Sequence, residues 1–304
     1  MPTAAPLPPT GEQFRISAGD VDAVVTEVGA GLRSFTAAGL PYVETFDLDV
    51  RPPQGSGTLL VPWPNRTAGG RWNWDGATQQ LALTEPARGN AIHGLVRFTF
   101  FDVIERADHA ITLGARIAVQ SGWPVPLAVR VRYAVAAGGL TVTYTVENLG
   151  ADAVPFGIGA HPYLRVGEVA TDECTLVLAA STALPLDGGL PAGPARPVTG
   201  DDDFRSGRPV KDLVLDNAFG GCAPADGDHL VRHRLLGPAG GLELWAEPAF
   251  GWVQVFTPDD HPGRGRAIAV EPMTCPPDAL NSGTGLIALA PAESWTGSWG
   301  LRPT

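Results

Sequence analysis

Glu271 is the carboxylate of this sequence whose position most strongly suggests chemistry. It directly follows the apolar run Ala267–Val270 and precedes Pro272. A carboxylate at the end of a buried strand needs a reason, because burying an unpaired charge is costly. Glu271 is therefore either half of a buried ion pair or a general base whose pKa is tuned by burial. Asp216 follows Leu213–Leu215 and raises the same question, with a helix cap or a turn as its structural role.

Two of the six histidines stand where a strand is expected to meet a loop. His161 lies in Gly159–Tyr163, where Pro162 fixes the backbone and cannot continue a strand ladder. His93 lies in Asn90–Gly94, in another loop that enters a strand. Each of these side chains is interpreted either as a structural loop histidine or as part of an active site.

The other histidines and the cysteines give weaker signals. His229 and His233 have i,i+4 spacing, but no Glu follows His229, so the HExxH zinc pattern is not met. His109 and His261 are interpreted as surface-turn residues. The three cysteines are widely spaced and odd in number, and they form neither a CxxC metal motif nor a disulfide framework. No metal site and no cofactor is expected.

An aromatic side chain, an amide and a guanidinium meet in a rigid turn predicted over Pro62–Arg66. An indole face can cover the apolar face of a pyranose, while Asn65 and Arg66 can hydrogen-bond its hydroxyl groups. Most tryptophans of β-sandwiches belong to the core, so only some can serve this purpose. The other residues that could contribute to a sugar-binding surface are Trp123, Tyr163 and Trp252.

The charge balance restricts the partners of the protein. A formal net charge of −11 argues against nucleic acid and anionic membranes, because both require a basic surface. No apolar run approaches the roughly 20 residues of a membrane-spanning helix. Residues 1–14 are expected to form a flexible arm, and the start of the sequence has no apolar segment typical of a signal peptide. With the cysteine pattern, these features predict a reduced, cytoplasmic protein.

Apolar residues recur with a period of two, which is typical of strands. The alternation in Leu127–Val135 resumes in Leu140–Val146 after a Gly-Gly turn, so a hairpin is predicted. Gly and Pro separate further β-prone runs at Ala23–Val28, Gln79–Leu83, Phe98–Glu105, Ile111–Ala118, Thr175–Leu178, Leu242–Ala246, Trp252–Phe256 and Ala267–Val270. We therefore predict an all-β sandwich or barrel, with one domain over residues 15–304. The stretch 184–208 is interpreted as a surface excursion between strands, with a domain boundary as the alternative.

The order of these motifs closely resembles the aldose 1-epimerase (galactose mutarotase) family over about residues 15–302. The resemblance rests on Asn65-Arg66, Gly70-Arg71-Trp72, His93-Gly94, Gly159-Ala160-His161-Pro162-Tyr163, Asp216, Glu271-Pro272 and Pro277-Asp278-Ala279-Leu280-Asn281. It implies a β-supersandwich of large twisted antiparallel sheets with sugar bound in a cleft. By the family pattern Glu271 is the general base and His161 the general acid, and the ring oxygen and hydroxyls are held by Arg66, His93 and Asp216.

The reaction that the resemblance implies suits these two side chains. Mutarotation needs a base to take the anomeric hydroxyl proton while an acid protonates the ring oxygen, and the two groups exchange roles when the ring recloses. A Glu and a His can do this near neutral pH, with roughly 10²–10⁴-fold from each proton transfer. No metal, cofactor or covalent intermediate is required.

The substrate and the class of activity have alternatives. Arg97 follows His93-Gly94 much as in the family branch that acts on hexose 6-phosphates, so Arg66, Arg71 and Arg97 could form a phosphate-binding cluster. Arg97 is otherwise a strand-surface residue. Two alternatives come from other functional classes. One is a glycoside hydrolase that uses Asp216 and Glu271, and the other is a non-catalytic carbohydrate-binding protein. The protein is expected to bind a small sugar as a monomer or homodimer.

Overall fold

A computed structural model of the protein describes residues 7–304, and most of their regular structure is strand. The strands of the first half are β1 (Gln13–Ala18), β2 (Val21–Thr26), β3 (Leu32–Ala37), β4 (Leu40–Pro41), β5 (Leu59–Leu60), β6 (Arg66–Thr67), β7 (Arg71–Trp74), β8 (Ala77–Gln80), β9 (Ala91–Ile92), β10 (Asp102–Ala107), β11 (Ala110–Ile117), β12 (Leu127–Ala136), β13 (Gly139–Asn148) and β14 (Val154–Phe156).

The second half continues the pattern with many short strands. These are β15 (Gly159–Ala160), β16 (Tyr163–Leu164), β17 (Thr175–Val177), β18 (Thr182–Leu184), β19 (Leu186–Asp187), β20 (Leu190–Pro191), β21 (Arg196–Pro197), β22 (Arg208–Pro209), β23 (Asp216–Gly220), β24 (Val231–Gly237), β25 (Gly240–Ala246), β26 (Trp252–Phe256), β27 (Ile268–Met273), β28 (Ile287–Leu289) and β29 (Ser294–Pro303). Within residues 7–304, helical structure is limited to 3₁₀ turns at Pro53–Gly55, Ala68–Gly70, Thr171–Glu173 and Gly200–Asp202, and to α1 (Ala279–Ser282).

Three sheets contain most of these strands. A nine-stranded sheet has the order β10-β11-β12-β13-β29-β25-β24-β17-β22, and a four-stranded sheet joins β1 to β4 in sequence. An eight-stranded sheet has the order β21-β18-β23-β26-β27-β15-β5, and β16 also pairs with β27. Neighbouring strands run antiparallel in all three sheets. One apolar cluster contains Val25, Val131 and Val255, one residue from each sheet. The prediction of an all-β sandwich with antiparallel sheets is confirmed.

The hairpin predicted from the alternating pattern is confirmed by β12 and β13. The two strands pair from Leu127 opposite Asn148 to Ala136 opposite Gly139. The apolar positions of β12 face the core, and its intervening residues are partly or fully exposed. Each buried Val or Leu contributes on the order of 1.5–3 kcal/mol relative to an exposed one. The hydroxyl of Tyr133, which is buried on the same face, donates to the carbonyl of Ala30 at 2.6 Å.

Strand β27 carries Glu271 through the middle of the eight-stranded sheet. All six of its residues are buried, and it continues through Pro272 to Met273 instead of ending at Glu271. The proline removes one backbone donor, yet Met273 still pairs with Trp252 on one side and Gly159 on the other. Glu271 therefore lies within a central strand, and not at a strand end as the sequence suggested.

Other predicted boundaries shift by a few residues. Trp252–Phe256 is β26 in full, but β10 begins only at Asp102, and the exposed Phe98 and Phe100 lie before it. Strand β1 begins at Gln13, since Phe14 is buried, so the last two residues of the predicted arm belong to the sheet. Residues 1–6 of that arm lie outside the described part of the chain. Within the stretch 184–208, β21 joins the eight-stranded sheet. Strand β22, which begins at the last residue of this stretch, joins the nine-stranded sheet.

Candidate active site

A cavity of about 380 Å³ opens beside β27, which is within the size range of small-molecule sites. Several separate segments of the chain contribute to its wall. Seven of the predicted site residues line it, namely Asn65, Arg66, His93, Arg97, His161, Asp216 and Glu271. The other lining residues are Pro52, Gln54, Gly55, Glu85, Ile92, Gln254 and Phe256.

Glu271 and His161 are in contact in this cavity. The Oε1 atom of Glu271 lies 3.4 Å from Nε2 of His161, and the side chains are only 2% and 5% exposed. Burial raises the pKa of Glu271 well above its usual range, with the Asp216 charge adding to the rise and Arg66 opposing it. Burial lowers the pKa of His161 to about 3. The other carboxylate oxygen of Glu271 and Nδ1 of His161 are buried without a hydrogen-bond partner in residues 7–304.

The backbone at His161 explains how its imidazole reaches Glu271. His161 and Pro162 separate β15 from β16, and both of these short strands pair with β27. The His161 carbonyl accepts from the Gly57 N–H at 2.8 Å, and its own N–H donates to the Thr58 carbonyl at 3.1 Å. The break between the two strands therefore aims a side chain into the cavity while both flanking residues stay anchored, as the proline suggested.

Neighbouring side chains restrict the orientation of the His161 ring. The Tyr163 ring stacks on it with centroids 5.2 Å apart and planes inclined at 30°. On another side, a Cβ atom at Gly55 would lie 3.1 Å from His161 Cδ2, so the absence of a side chain there leaves room for the imidazole. Tyr163 is in turn packed against His261, with centroids 4.5 Å apart. Tyr163 thus contacts the proposed acid from behind and does not itself line the cavity.

His93 is held by a reciprocal contact with Asn65. The His93 N–H donates to the Asn65 carbonyl at 2.9 Å, and the Asn65 N–H donates to His93 Nδ1 at 3.2 Å. Burial, with the nearby His161 and Arg97, lowers the pKa of His93 well below its usual value, so the ring is neutral. Because Nδ1 accepts a hydrogen bond, the ring proton is on Nε2. His93 can therefore donate one hydrogen bond to a ligand oxygen without carrying charge.

Arg66 is fixed by a carboxylate that the sequence analysis did not identify. Glu85 accepts from Arg66 Nε at 2.9 Å and from Nη2 at 3.0 Å. This fork leaves Nη1, which lies 3.6 Å from Asp216 Oδ2. The other oxygen of Asp216 accepts from Gln254 Nε2 at 2.7 Å. Gln254 stands opposite Glu271 in the pairing of β26 with β27. The side-chain amide oxygen of Gln254, Oε1, is buried without a hydrogen-bond partner in residues 7–304.

Arg97 contributes a cation to the cavity wall. Its Nη2 donates to the carbonyl of Ile92 at 3.0 Å, and its guanidinium lies 5.4 Å from the centroid of the Phe98 ring. Burial lowers the pKa of Arg97, although the charge of Glu85 opposes the change. No carboxylate of residues 7–304 comes within ion-pair distance of it. Arg97 is therefore part of the cavity, and not the strand-surface residue that was the alternative.

Three residues predicted to bind the substrate do not reach the cavity wall. Arg71 is exposed, and its Nε donates to Gln80 at 2.9 Å. Trp123 is fully buried and stacks on Trp72 with centroids 5.4 Å apart, so it is a core residue. Tyr163 lies behind His161, as described above. An arginine cluster formed by Arg66, Arg71 and Arg97 is therefore not present as predicted, because Arg71 points along its own hairpin.

The remaining predicted features can be located directly. His229 is exposed, whereas His233 is buried and its Nδ1 accepts from the Ala179 N–H at 3.2 Å, so the two rings have different environments. His261 is also buried, with Nε2 3.0 Å from Ser56 Oγ, and its prediction as a surface residue was wrong. Residues 7–304 contain no grouping of three potential metal ligands. Helices of membrane-spanning length and hydropathy are likewise absent from that part of the chain.

Similar proteins share this architecture. Among solved structures, a galactose mutarotase-like protein from Clostridium acetobutylicum superposes with a TM-score of 0.85 at 19% identity, over 96% of this chain and 95% of its own. A galactose 1-epimerase from Lactobacillus acidophilus NCFM gives a TM-score of 0.78 at 18% identity, over 96% and 94% of the two chains. These likenesses define the fold as galactose mutarotase-like.

Sequence relationships identify the family. A sequence profile of the aldose 1-epimerase family matches residues 12–302. YihR of Escherichia coli K12, an uncharacterised protein, is 31% identical over 287 residues, which cover 92% of this chain and 89% of YihR. The chain belongs to the aldose 1-epimerase family, in agreement with the motifs of its sequence.

Proposed function

We propose that the protein is a mutarotase that interconverts the α and β anomers of a hexose. The contact between Glu271 and His161 carries this proposal. The two oxygens that exchange protons in mutarotation, O1 and the ring oxygen O5, are bonded to the same carbon. A base and an acid that serve them must therefore converge on one small region, and the separation of 3.4 Å between the two side chains satisfies this requirement.

The proposed reaction assigns one proton transfer to each group. Glu271 takes the proton of the anomeric hydroxyl, while His161 protonates O5 as the C1–O5 bond breaks. The open-chain aldehyde rotates about C1–C2 and the ring closes on the other face. During closure His161 takes the proton back from O5 and Glu271 returns its proton to O1, so the site ends in its original state.

The low polarity around the pair affects its two one-proton states unequally. Ionised Glu271 beside protonated His161, and protonated Glu271 beside neutral His161, contain the same number of protons. The ring opens from the first protonation state, and the second state is the one present beside the open-chain aldehyde. Because burial raises the pKa of Glu271 and lowers that of His161, it favours the second pair over the first. Burial therefore makes the charged pair the less populated form of the site, and the two proton transfers that open the ring convert it into the more populated form.

Neighbouring groups would hold the sugar against this pair. Arg66 Nη1 makes no hydrogen bond within residues 7–304, so its N–H groups can reach a sugar oxygen. The His93 imidazole offers the Nε2 proton, and Asp216 accepts from hydroxyls. Asn65 contributes chiefly by positioning His93. In this assignment no residue needs a metal or cofactor. The reacting pair is a carboxylate and an imidazole, whereas a glycoside hydrolase uses two carboxylates that flank the scissile bond.

Arg97 favours a second candidate substrate, a hexose that carries an anionic group such as a 6-phosphate. Its guanidinium is partly desolvated in the cavity wall without a carboxylate partner in residues 7–304, although the chain has a net charge of −11. The guanidinium of Arg51 lies 6.0 Å from the same Phe98 ring that Arg97 approaches, which places a second cation nearby. A phosphate beside Arg97 would supply the missing anion.

Polarimetry on freshly dissolved sugar tests the proposal. We expect the protein to accelerate the mutarotation of α-glucose, α-galactose or glucose 6-phosphate, and the preferred sugar separates the two candidate substrates. A reducing-sugar assay on oligosaccharides runs in parallel. Hydrolysis would support the hydrolase instead, and binding of sugar without either reaction would support a non-catalytic role. The proposal also includes the cytoplasmic location and the monomeric or dimeric state expected from the sequence.

A further inference from the structure

Four charged side chains at one side of the cavity form a closed ring in which the sign of the charge alternates. Arg66 contacts Glu85 at 2.9 Å, and Glu85 contacts Arg88 at 3.8 Å. Arg88 lies 3.6 Å from Asp216, and Asp216 lies 3.6 Å from Arg66. Each cation therefore touches both anions, and each anion touches both cations.

The ring has an inner and an outer side. Arg66, Glu85 and Asp216 line the cavity, whereas Arg88 does not. The side chain of Arg66 is 9% exposed and that of Arg88 is 47% exposed. Arg88 thus contacts the same two carboxylates as Arg66, but from the solvent.

Glu85 determines which edge of Arg66 faces the ligand. Burial opposes ionisation of Glu85, but the hydrogen bonds and charge of Arg66 outweigh it and lower the pKa of the carboxyl group. Its two oxygens occupy Nε and Nη2, so only Nη1 is left for the cavity. A Cβ atom at Gly189 would lie 2.4 Å from Nη1, so the backbone of the loop between β19 and β20 also closes around this group.

Asp216 is held at both of its oxygens. Oδ1 accepts from Gln254, while Oδ2 lies at equal distance from Arg66 and Arg88. Without Arg88, the charge of Oδ2 would be balanced by Arg66 alone. The carboxylate would then draw toward the Nη1 group that the sugar needs.

We infer that Arg88, together with Glu85, is a positioning residue of the sugar site. It balances Asp216 and Glu85 from outside, so that Arg66 Nη1 and Asp216 remain separate and available to the hydroxyl groups of the substrate. The inference rests on the proposed mutarotase activity. It concerns binding of the sugar, since the ion-pair partners of Arg88 within residues 7–304 are Glu85 and Asp216, and not Glu271.

A surface ion pair of equal geometry provides the control. Arg130 lies 3.6 Å from Glu147 and is 48% exposed, close to the 3.6 Å and 47% of Arg88 beside Asp216. The pair joins β12 and β13 and lies outside the cavity. Ion pairs this exposed contribute little to folding stability, so neither Arg88→Ala nor Arg130→Ala is expected to change the melting temperature appreciably.

The experiment measures KM and kcat by polarimetry with α-glucose, α-galactose and glucose 6-phosphate. We expect Arg88→Ala to raise KM by about threefold to fivefold, the upper range for one exposed ion pair, with kcat within about twofold of wild type. Arg88→Lys keeps the charge and should recover most of the loss. Arg130→Ala should behave as wild type. Adding Arg88→Ala to Asp216→Asn should raise KM less than it does in the wild-type background, because the two residues are coupled.

The outcomes distinguish the inference from the proposed function. An active wild type with an Arg88→Ala variant indistinguishable from Arg130→Ala would overturn the inference and leave the mutarotase proposal standing. An Arg88→Lys variant as impaired as Arg88→Ala, or a melting temperature that falls together with kcat, would also overturn it. A wild type that is inactive on all three sugars would overturn both.

Discussion

Glu271 and His161 approach each other to 3.4 Å although they are separated by more than a hundred residues of the chain. Strand β27 carries the carboxylate, and the break between β15 and β16 carries the imidazole. Because β15 and β16 both pair with β27, the contact is set by the register of a central sheet.

Replacing Glu271 by Gln should reduce turnover while preserving binding. The amide keeps the size of the side chain but cannot take a proton, so kcat should fall by about 10²–10⁴-fold with KM nearly unchanged. His161→Asn should have a similar effect. The double variant should be little worse than either single one, because both groups act on one transition state. Polarimetric kinetics measure this, and near-normal turnover of Glu271→Gln would exclude Glu271 as the base.

The pH dependence of kcat/KM should be broad and displaced at its acid side. The pair works with one proton in total, so activity is lost when a second proton binds or when the single proton leaves. Since the pKa of His161 is lowered to about 3, the acid limb should lie well below pH 6.5. The raised pKa of Glu271 should hold the shared proton as pH rises, which delays the alkaline limb. An acid limb centred near pH 6.5 would contradict this account.

Arg97→Ala should affect a phosphorylated sugar more than a neutral one. Removing the guanidinium leaves a bound phosphate without its partner, a loss of about tenfold or more in kcat/KM on glucose 6-phosphate, and less on glucose. Arg71→Ala is the matched control, because Arg71 is bound to Gln80 outside the cavity. Equal, small effects of Arg97→Ala on both sugars would assign Arg97 to the scaffold.

His233 should make the protein less stable in acid. Burial lowers its pKa to about 4, whereas the unfolded chain takes up a proton below about pH 6.5. Between these values the unfolded state binds more protons, so stability falls as pH falls, by on the order of 3 kcal/mol over the whole window. His233→Asn retains an acceptor for the Ala179 N–H but does not titrate. Denaturation experiments between pH 7 and pH 4 should show that the free energy of unfolding declines less steeply for this variant than for wild type. His229→Asn should decline as wild type does.

Activity should be independent of divalent metal. Residues 7–304 bring no three histidine, cysteine, aspartate or glutamate side chains together in a ligand cluster. Turnover after dialysis against a chelator should equal that of the untreated protein. Activity that disappears with the chelator and returns with a divalent ion would replace the acid–base mechanism with a metal-assisted one.

The sequence was most informative where a residue conflicted with its local pattern. Glu271 follows an apolar run, and His161 stands before a proline, so both were recognisable without any tertiary information. Gln254 is a comparable signal that was overlooked, because it is the only polar residue inside the apolar strand Trp252–Phe256. An amide on the buried face of a strand needs a polar partner, and here that partner is Asp216.

Other positions had no such local signal. Glu85 is followed by Pro86 in a polar loop and resembles any surface acid, since its role depends on Arg66, which is 19 residues away. Trp123 is a residue type that often forms sugar-binding surfaces, but tertiary packing places it against Trp72 in the core. His261 lies in a Gly- and Pro-rich turn, yet that turn folds inward onto Ser56 and Tyr163. Each of these positions is decided by contacts between distant parts of the chain.

The reciprocal contact of Asn65 and His93 has a consequence for engineering. Both residues adopt the left-handed backbone conformation, with φ of 55° and 62°, which costs a non-glycine residue on the order of 1–2 kcal/mol. Glycine would relieve this cost at either position, but it would also remove Oδ1 of Asn65, which accepts from the Arg66 N–H, or Nδ1 of His93, which accepts from the Asn65 N–H. Glycine at 93 would remove the imidazole donor, and glycine at 65 would give the loop freedom to misplace it. Thermostabilised variants of this protein should be tested for activity first at these two positions, because the strained backbone conformation also positions the His93 imidazole in the cavity wall.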